Sequence, residues 1–162
     1  MSHFENYQHV SRFYDNTRTA VGVDIIRNQL ENGELPINKQ LLVDAGCGTG
    51  LYSAALVKNV RKIEAIDLNA GMLKIAKEKM KLEGKNGLIN FHISSIDSLP
   101  LDNDTADAIM INQVLHHLPD NLTRGWTHHE KVFREFWRVL KSGGMLIINS
   151  CSPEQIKSGF WF

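Results

Sequence analysis

The chain has 162 residues, with 18 Lys and Arg balancing 18 Asp and Glu for a formal net charge of zero. That length favours one domain, the 43% hydrophobic content excludes a disordered chain, and the neutral balance offers no basic excess for a nucleic acid. Two cysteines, Cys47 and Cys151, are too few for a disulfide scaffold.

The first fifteen residues, MSHFENYQHVSRFYD, lack the apolar core of a signal peptide. No run approaches the ~20 apolar residues of a membrane helix. A cytoplasmic protein without a membrane or nucleic-acid partner is therefore expected. Residues 2–15 and 20–32 read as helical, and Gly33 and Pro36 end that region. Residues 1–36 are taken as an N-terminal helical cap segment and 37–162 as the main domain.

The first strand is expected at Leu41–Asp44, where a continuous apolar run suits a strand covered on both faces. Leu51–Asn59 reads as a crossover helix and Ile63–Asp67 as a second strand. Asn69 is a candidate N-cap for a helix running to about Glu83, with Met72, Leu73, Ala76 and Met80 on one face and Gly84 as its stop. Ile89–Ile93 and Ala106–Asn112 read as the third and fourth strands. Thr127 and Glu130 suggest a capping box before a helix to about Lys141, in which Val132, Phe133, Phe136, Trp137 and Leu140 recur at helical spacing. Ser142-Gly143-Gly144 then breaks the helix, and Met145–Asn149 is the fifth strand. Strands alternating with helices define an α/β domain with a mostly parallel sheet.

The segment Val43-Asp44-Ala45-Gly46-Cys47-Gly48-Thr49-Gly50 joins the first strand to the first crossover helix, where open α/β sheets bind ligands. A dinucleotide fold prefers Gly-x-Gly-x-x-Gly, with its third glycine where Leu51 stands, and the Walker pattern fails because no Gly-Lys-Ser/Thr follows. Asp44 precedes the first glycine by two residues and favours a cationic group over a pyrophosphate. Asp67 ends the second strand, where a carboxylate can accept from both ribose hydroxyls. An ordinary glycine turn and a strand-end acid remain the plain alternatives for these two features.

With these elements in place the sequence resembles the class I S-adenosylmethionine (SAM)-dependent methyltransferases, in particular their small-molecule branch, from about Leu41 to Asn149. The resemblance implies a Rossmann-like three-layer α/β/α fold with strand order 3-2-1-4-5. It implies SAM as cofactor, held by Asp44, Gly46, Cys47, Gly48, Gly50 and Leu68, with Asp67 at the ribose. Ser95 stands where relatives carry an acid for the adenine amino group, and Ile96 supplies an N–H and an apolar wall. Asn112 opens a segment, Asn112–Leu118, that passes beside the methionine end. Tyr14 and Arg18 resemble the segment that closes over SAM, which implies Arg18 as a partner for its carboxylate, with a solvated helix face as the plain alternative. The segment lacks the Asp/Asn-Pro-Pro-aromatic motif of amino-methylating nucleic-acid enzymes, so a small-molecule methyl acceptor is expected.

His116 and His117 are the candidates for a general base, with simple pocket lining as their alternative. Adjacent histidines converge poorly on one ion, so no metal is expected at His116, His117, His128 or His129. Cys47, Trp126 and Trp137 are read as packing residues.

The family's sheet has seven strands, and the sequence stops about one short segment past the fifth, at Trp161-Phe162. Strands six and seven are therefore expected to be missing. Strand five would then be an apolar edge, and self-association through it or through Phe160-Trp161-Phe162 is expected. The leading function is methyl transfer to a small molecule. The alternative is a non-catalytic SAM-binding fragment acting through protein contacts.

Overall fold

The computed structural model describes residues 19–120 and 125–150. Leu41–Ala45 (β1), Lys62–Asp67 (β2), Ile89–Ile93 (β3), Ala106–Asn112 (β4) and Leu140–Asn149 (β5) form a five-stranded sheet in the order β3-β2-β1-β4-β5. Every neighbouring pair is parallel. The described helices are Val23–Glu31 (α1), Leu51–Leu56 (α2), Ala70–Leu82 (α3) and Thr127–Val139 (α4).

Side-chain alternation divides the core in two. Leu42, Ile63 and Met110 pack with Ile26 and Leu30 of α1, Leu56 of α2, and Leu73 and Met80 of α3. Val43, Ile66 and Ile109 pack on the other face with Val132, Phe136 and Val139 of α4. Every residue of β1 is buried, because this central strand has helices over both faces. The three layers and the strand order are those the resemblance implies.

Local signals hold where the partner is near in sequence. The Asn69 side chain accepts from the Gly71 and Met72 N–H groups, and Met72, Leu73, Ala76 and Met80 are the buried face of α3. Three boundaries differ where the partner is distant. α2 ends at Leu56 instead of Asn59, because the chain must already turn toward β2 at Lys62. The capping box does not form, since Thr127 is already helical and Trp126 gives no side-chain cap. Asp120 caps instead, accepting from the His129 N–H at 2.7 Å.

The third difference lies at Ser142-Gly143-Gly144. α4 stops at Val139 and β5 begins at Leu140, so these residues form a bulge within the strand. Ala106 pairs with Leu140 and Ala108 with Met145, leaving Lys141–Gly144 opposite Asp107. The Asp107 carboxylate anchors the bulge, accepting from Lys141 Nζ at 2.7 Å and the Leu41 N–H at 2.7 Å.

The aromatic residues of α4 are divided. Phe136 is buried, whereas Phe133 and Trp137 face outward, Trp137 with 84% exposure. With Trp126 and His129 they line a shallow groove of about 610 Å³ along the outer side of α4. β5 is the outermost described strand on its side of the sheet. No helix among the described residues is long and apolar enough to cross a membrane. The cap segment before residue 19 and the Phe160-Trp161-Phe162 end lie outside the described residues.

Candidate cofactor site

The strand order reverses at β1, which has β2 on one side and β4 on the other. Crossovers leaving in opposite directions open a crevice above the carboxyl ends of these strands. Asp44 alternates with Leu42, Asp67 with Ile63 and Ala65, and Asn112 with Ala108 and Met110. Three polar side chains therefore reach that edge on the face carrying α1, α2 and α3.

The glycine loop keeps its amides for itself. Gly46 and Cys47 both donate to the Ile66 carbonyl, at 2.8 and 2.9 Å, and Gly50 donates to the Cys47 carbonyl at 2.8 Å. Gly48 donates to Asp67 Oδ2 at 2.8 Å. A phosphate cradle needs such N–H groups turned toward the ligand. This loop is unsuited to a pyrophosphate for that reason.

The three glycines do different work. At Gly46, φ is +78° and a Cβ would stand 2.5 Å from Val114 Cγ2, so the position is reserved for the close approach of Val114. At Gly50, φ is +75° and a Cβ would lie 3.2 Å from Ala76 Cβ, so this glycine admits α3 against α2. Gly48, at φ +54°, has no described residue within 4 Å of a would-be Cβ. Of the three, it alone leaves open space for a ligand.

Two carboxyl groups stand at the carboxyl ends of β1 and β2, and one of them, Asp67, is bonded to Gly48. Asp44 is only 2% exposed, and Ser53 Oγ donates to its Oδ2 at 2.6 Å. Burial pushes its carboxyl up to about 7; the Ser53 bond opposes the rise and nearby Asp67 adds to it. Burial also raises Asp67, against hydrogen bonds from the Asn69 and Gly48 N–H groups. A cation placed here would meet two poorly solvated carboxylates. The Asn112 amide is 7% exposed, and neither its Nδ2 nor its Oδ1 has a hydrogen-bond partner among the described residues. A buried amide left so costs about 1–3 kcal/mol and marks a place for a ligand group that both donates and accepts.

Cys47 packs in the core with α1–α3, and burial, then Asp44 and Asp67, push its thiol well above the usual range. Leu68 and Ile93 are exposed apolar residues beside Asp67, at 66% and 63%. Ile93 was not among the residues the sequence pointed to; only its register with Asp67 across β2 and β3 reveals it. Ser95 is half-buried, and its carbonyl accepts from the Ser98 N–H at 3.1 Å. The Ile96 side chain packs into the core under α4, so it does not form the apolar wall expected of it. The other half of the expectation, its main-chain N–H, does not depend on the side chain.

His116 and His117 are exposed on a 3-10 turn, Leu115–His117, with ring centroids 4.0 Å apart. Asp120 meets the other pair, at 2.6 Å from His128 Nδ1 and 2.9 Å from His129 Nδ1. An acid beside these histidines is not legible in the sequence, because Asp120 stands 8 and 9 residues before them. Desolvation raises the Asp120 carboxyl, but the bonds from His129 and His128 outweigh it and hold the group well below the usual carboxylate range. Arg18 and Tyr14 lie outside the described residues.

Sheet order and the loop at the β1 switch point define a Rossmann-like domain. The profile of the methyltransferase domain matches residues 43–148. The chain belongs to this family, the class I SAM-dependent methyltransferases. It is 30% identical over 145 residues to a demethylmenaquinone methyltransferase of Clavibacter sepedonicus, covering 88% of this chain and 55% of that protein. It is 31% identical over 112 residues to a ubiquinone/menaquinone biosynthesis C-methyltransferase of Escherichia coli, covering 67% of this chain and 41% of that protein. Among solved structures, a proposed SAM-dependent methyltransferase of Methanococcus maripaludis superposes with a TM-score of 0.69 at 24% identity, covering 93% of this chain and 69% of that one. The chain thus spans about half the length of the curated relatives it matches.

Proposed function

We propose that this chain binds SAM at the carboxyl edge of β1, β2 and β4 and transfers its methyl group to a small organic acceptor. The observation that carries the reading is the orphaned Asn112 amide on the same face as Asp44. An α-amino acid end fits this pair: its ammonium is matched by Asp44 and Asn112 Oδ1, and its carboxylate by Asn112 Nδ2. Arg18 and Tyr14 are proposed to close over that carboxylate. The open face of Gly48 gives the ligand backbone contact without a Cβ in the way. Asp67 retains acceptor capacity for the ribose hydroxyls. Leu68 and Ile93 offer apolar surface to the adenine ring, and Ser95 with the Ile96 main chain its hydrogen-bonding edge.

When bound, SAM supplies a methyl group already activated on a sulfonium. The protein's task is then to orient donor and acceptor and exclude water, which contributes much of the rate in such reactions. The segment after Asn112 lies on the acceptor side, with His116 or His117 available as a base where the acceptor carries a proton. Relatives whose names specify quinone methylation support a small-molecule acceptor.

The test is calorimetry with SAM, S-adenosylhomocysteine and NAD, followed by a search for methylated product across a metabolite panel. SAM and S-adenosylhomocysteine should bind and NAD should not; binding of NAD without SAM would overturn the assignment.

Asp67→Ala should weaken SAM by roughly 1.5–3 kcal/mol, the range for hydrogen bonds to a charged partner. The variant also loses the acceptor for the Gly48 and Asn69 N–H groups, so its fold should be checked by circular dichroism. Unchanged affinity in a folded variant would place the ribose elsewhere.

Self-association through the β5 edge belongs to the same reading. Ile148 is 48% exposed there. Light scattering at micromolar concentration should show a species larger than the monomer, and a monomer at all concentrations would count against it.

A further inference from the structure

We infer that Gln113 is a positioning residue for the cofactor site: its left-handed backbone holds Asn112 and Val114 in the arrangement that leaves the Asn112 amide available. This rests on the proposed SAM site. Among the described residues only Asp104 and Gln113 are non-glycines with positive φ, at 51° and 56°. Aspartate adopts this region with some ease through local hydrogen bonding, whereas glutamine gains nothing comparable. Such backbone persists only where its surroundings over-determine it.

Those surroundings are visible on both sides. The Gln113 N–H donates to the Asn149 carbonyl at 2.8 Å, continuing the β4–β5 ladder one step past Asn112. That bond fixes the end of β4 and keeps Asn112 on the crevice face. The reversal at Gln113 then brings Val114 back across β1, onto the Cα of Gly46. Asn149 is itself fixed, because its Nδ2 donates to the Val21 carbonyl and to Tyr52 Oη, each at 3.2 Å. The turn is therefore clamped between β5 and the glycine loop. Its immediate neighbour is the buried amide with two unmet hydrogen-bonding atoms.

A glycine at 113 would relieve the backbone at no steric cost and would also widen the choice of conformations for both neighbours. Retaining a side chain there sacrifices stability for a fixed Asn112. The expected signature is a split between stability and affinity.

The experiment is a double-mutant cycle read by S-adenosylhomocysteine calorimetry and thermal melting. Gln113→Gly should keep or raise the melting temperature while raising the Kd about fivefold, and Asn112→Ala should raise the Kd about tenfold or more. In the Asn112→Ala background Gln113→Gly should change the Kd by less than about twofold, because its effect runs through the missing amide. Gln113→Asn, which tolerates the same φ, should retain wild-type affinity. An unchanged Kd in Gln113→Gly, or the same loss in both backgrounds, overturns the inference. If Gln113→Gly fails to fold, the backbone is not strained as argued and the inference also falls; a loss of affinity in a folded Gln113→Asn does the same. A wild-type chain that binds no S-adenosylhomocysteine removes the site reading itself, a failure the cycle cannot produce.

Discussion

Gly46→Ala is expected to lose about 3 kcal/mol of folding stability, whereas Gly48→Ala, two residues on, should lose about 1 kcal/mol and more than tenfold in SAM affinity. Both glycines have positive φ, +78° and +54°, so each substitution carries the left-handed penalty of an L residue. They differ in what the added methyl meets. At Gly46 it lies 2.5 Å from Val114 Cγ2 and 3.1 Å from Cγ1, on a side chain with little rotameric freedom that packs against the α4-side core. At Gly48 it enters open space. Urea titration of both variants beside calorimetry separates the effects. Equal destabilisation would mean that Val114 moves aside easily; an unchanged SAM affinity in Gly48→Ala would mean that the ligand does not approach that glycine.

The second large effect is on pH dependence. Burial holds the Asp44 carboxyl at about 7 in the folded chain against an ordinary 3.8, so the folded state keeps a proton that the unfolded chain has released. Stability should therefore fall as pH rises from about 4 to about 7 and level off above, the gap being worth about 4 kcal/mol. Asn at this position can still accept from Ser53 Oγ but carries no charge to bury. Asp44→Asn should accordingly gain on the wild type over the same pH range, as read by urea titrations at pH 4, 5.5 and 8. Ligand binding should run the other way. A cationic ligand favours the ionised carboxylate, so SAM should tighten as pH rises toward 7, by up to about tenfold per pH unit, and Asp44→Asn should flatten that dependence. A SAM affinity independent of pH in the wild type would show that Asp44 does not face the cation.

Where a structural cause is local, the sequence carries it openly. The apolar run at Leu41–Val43 predicts a central strand because parallel strands are buried on both faces. Asn69 with the spacing of Met72, Leu73, Ala76 and Met80 predicts α3, since a cap and an apolar stripe involve residues a turn or two apart. The glycine loop and Asp67 are legible for the same reason: each sits at the end of a strand that the pattern already locates.

Contacts between residues far apart in sequence leave no such pattern. Asp120 replaces the expected capping box at α4, and the Ser142–Gly144 segment is a strand bulge because Asp107 anchors it from the neighbouring strand. Ile96 turns into the core under α4 instead of the crevice, and Ile93 reaches Asp67 only through the β2–β3 register. The sequence alone thus determined the α/β class, the strand positions and the residues at the strand ends, since periodicity and capping act within a few residues, while the layers and strand order came from the family resemblance. Only the tertiary structure decided which glycine faces open space, why burial raises the Asp44 carboxyl and where the unmet amide lies. Those properties depend on burial and close approach between Val114 and Gly46, Ala76 and Gly50, and Ser53 and Asp44, and none of these pairs is fixed until the sheet and its helices pack.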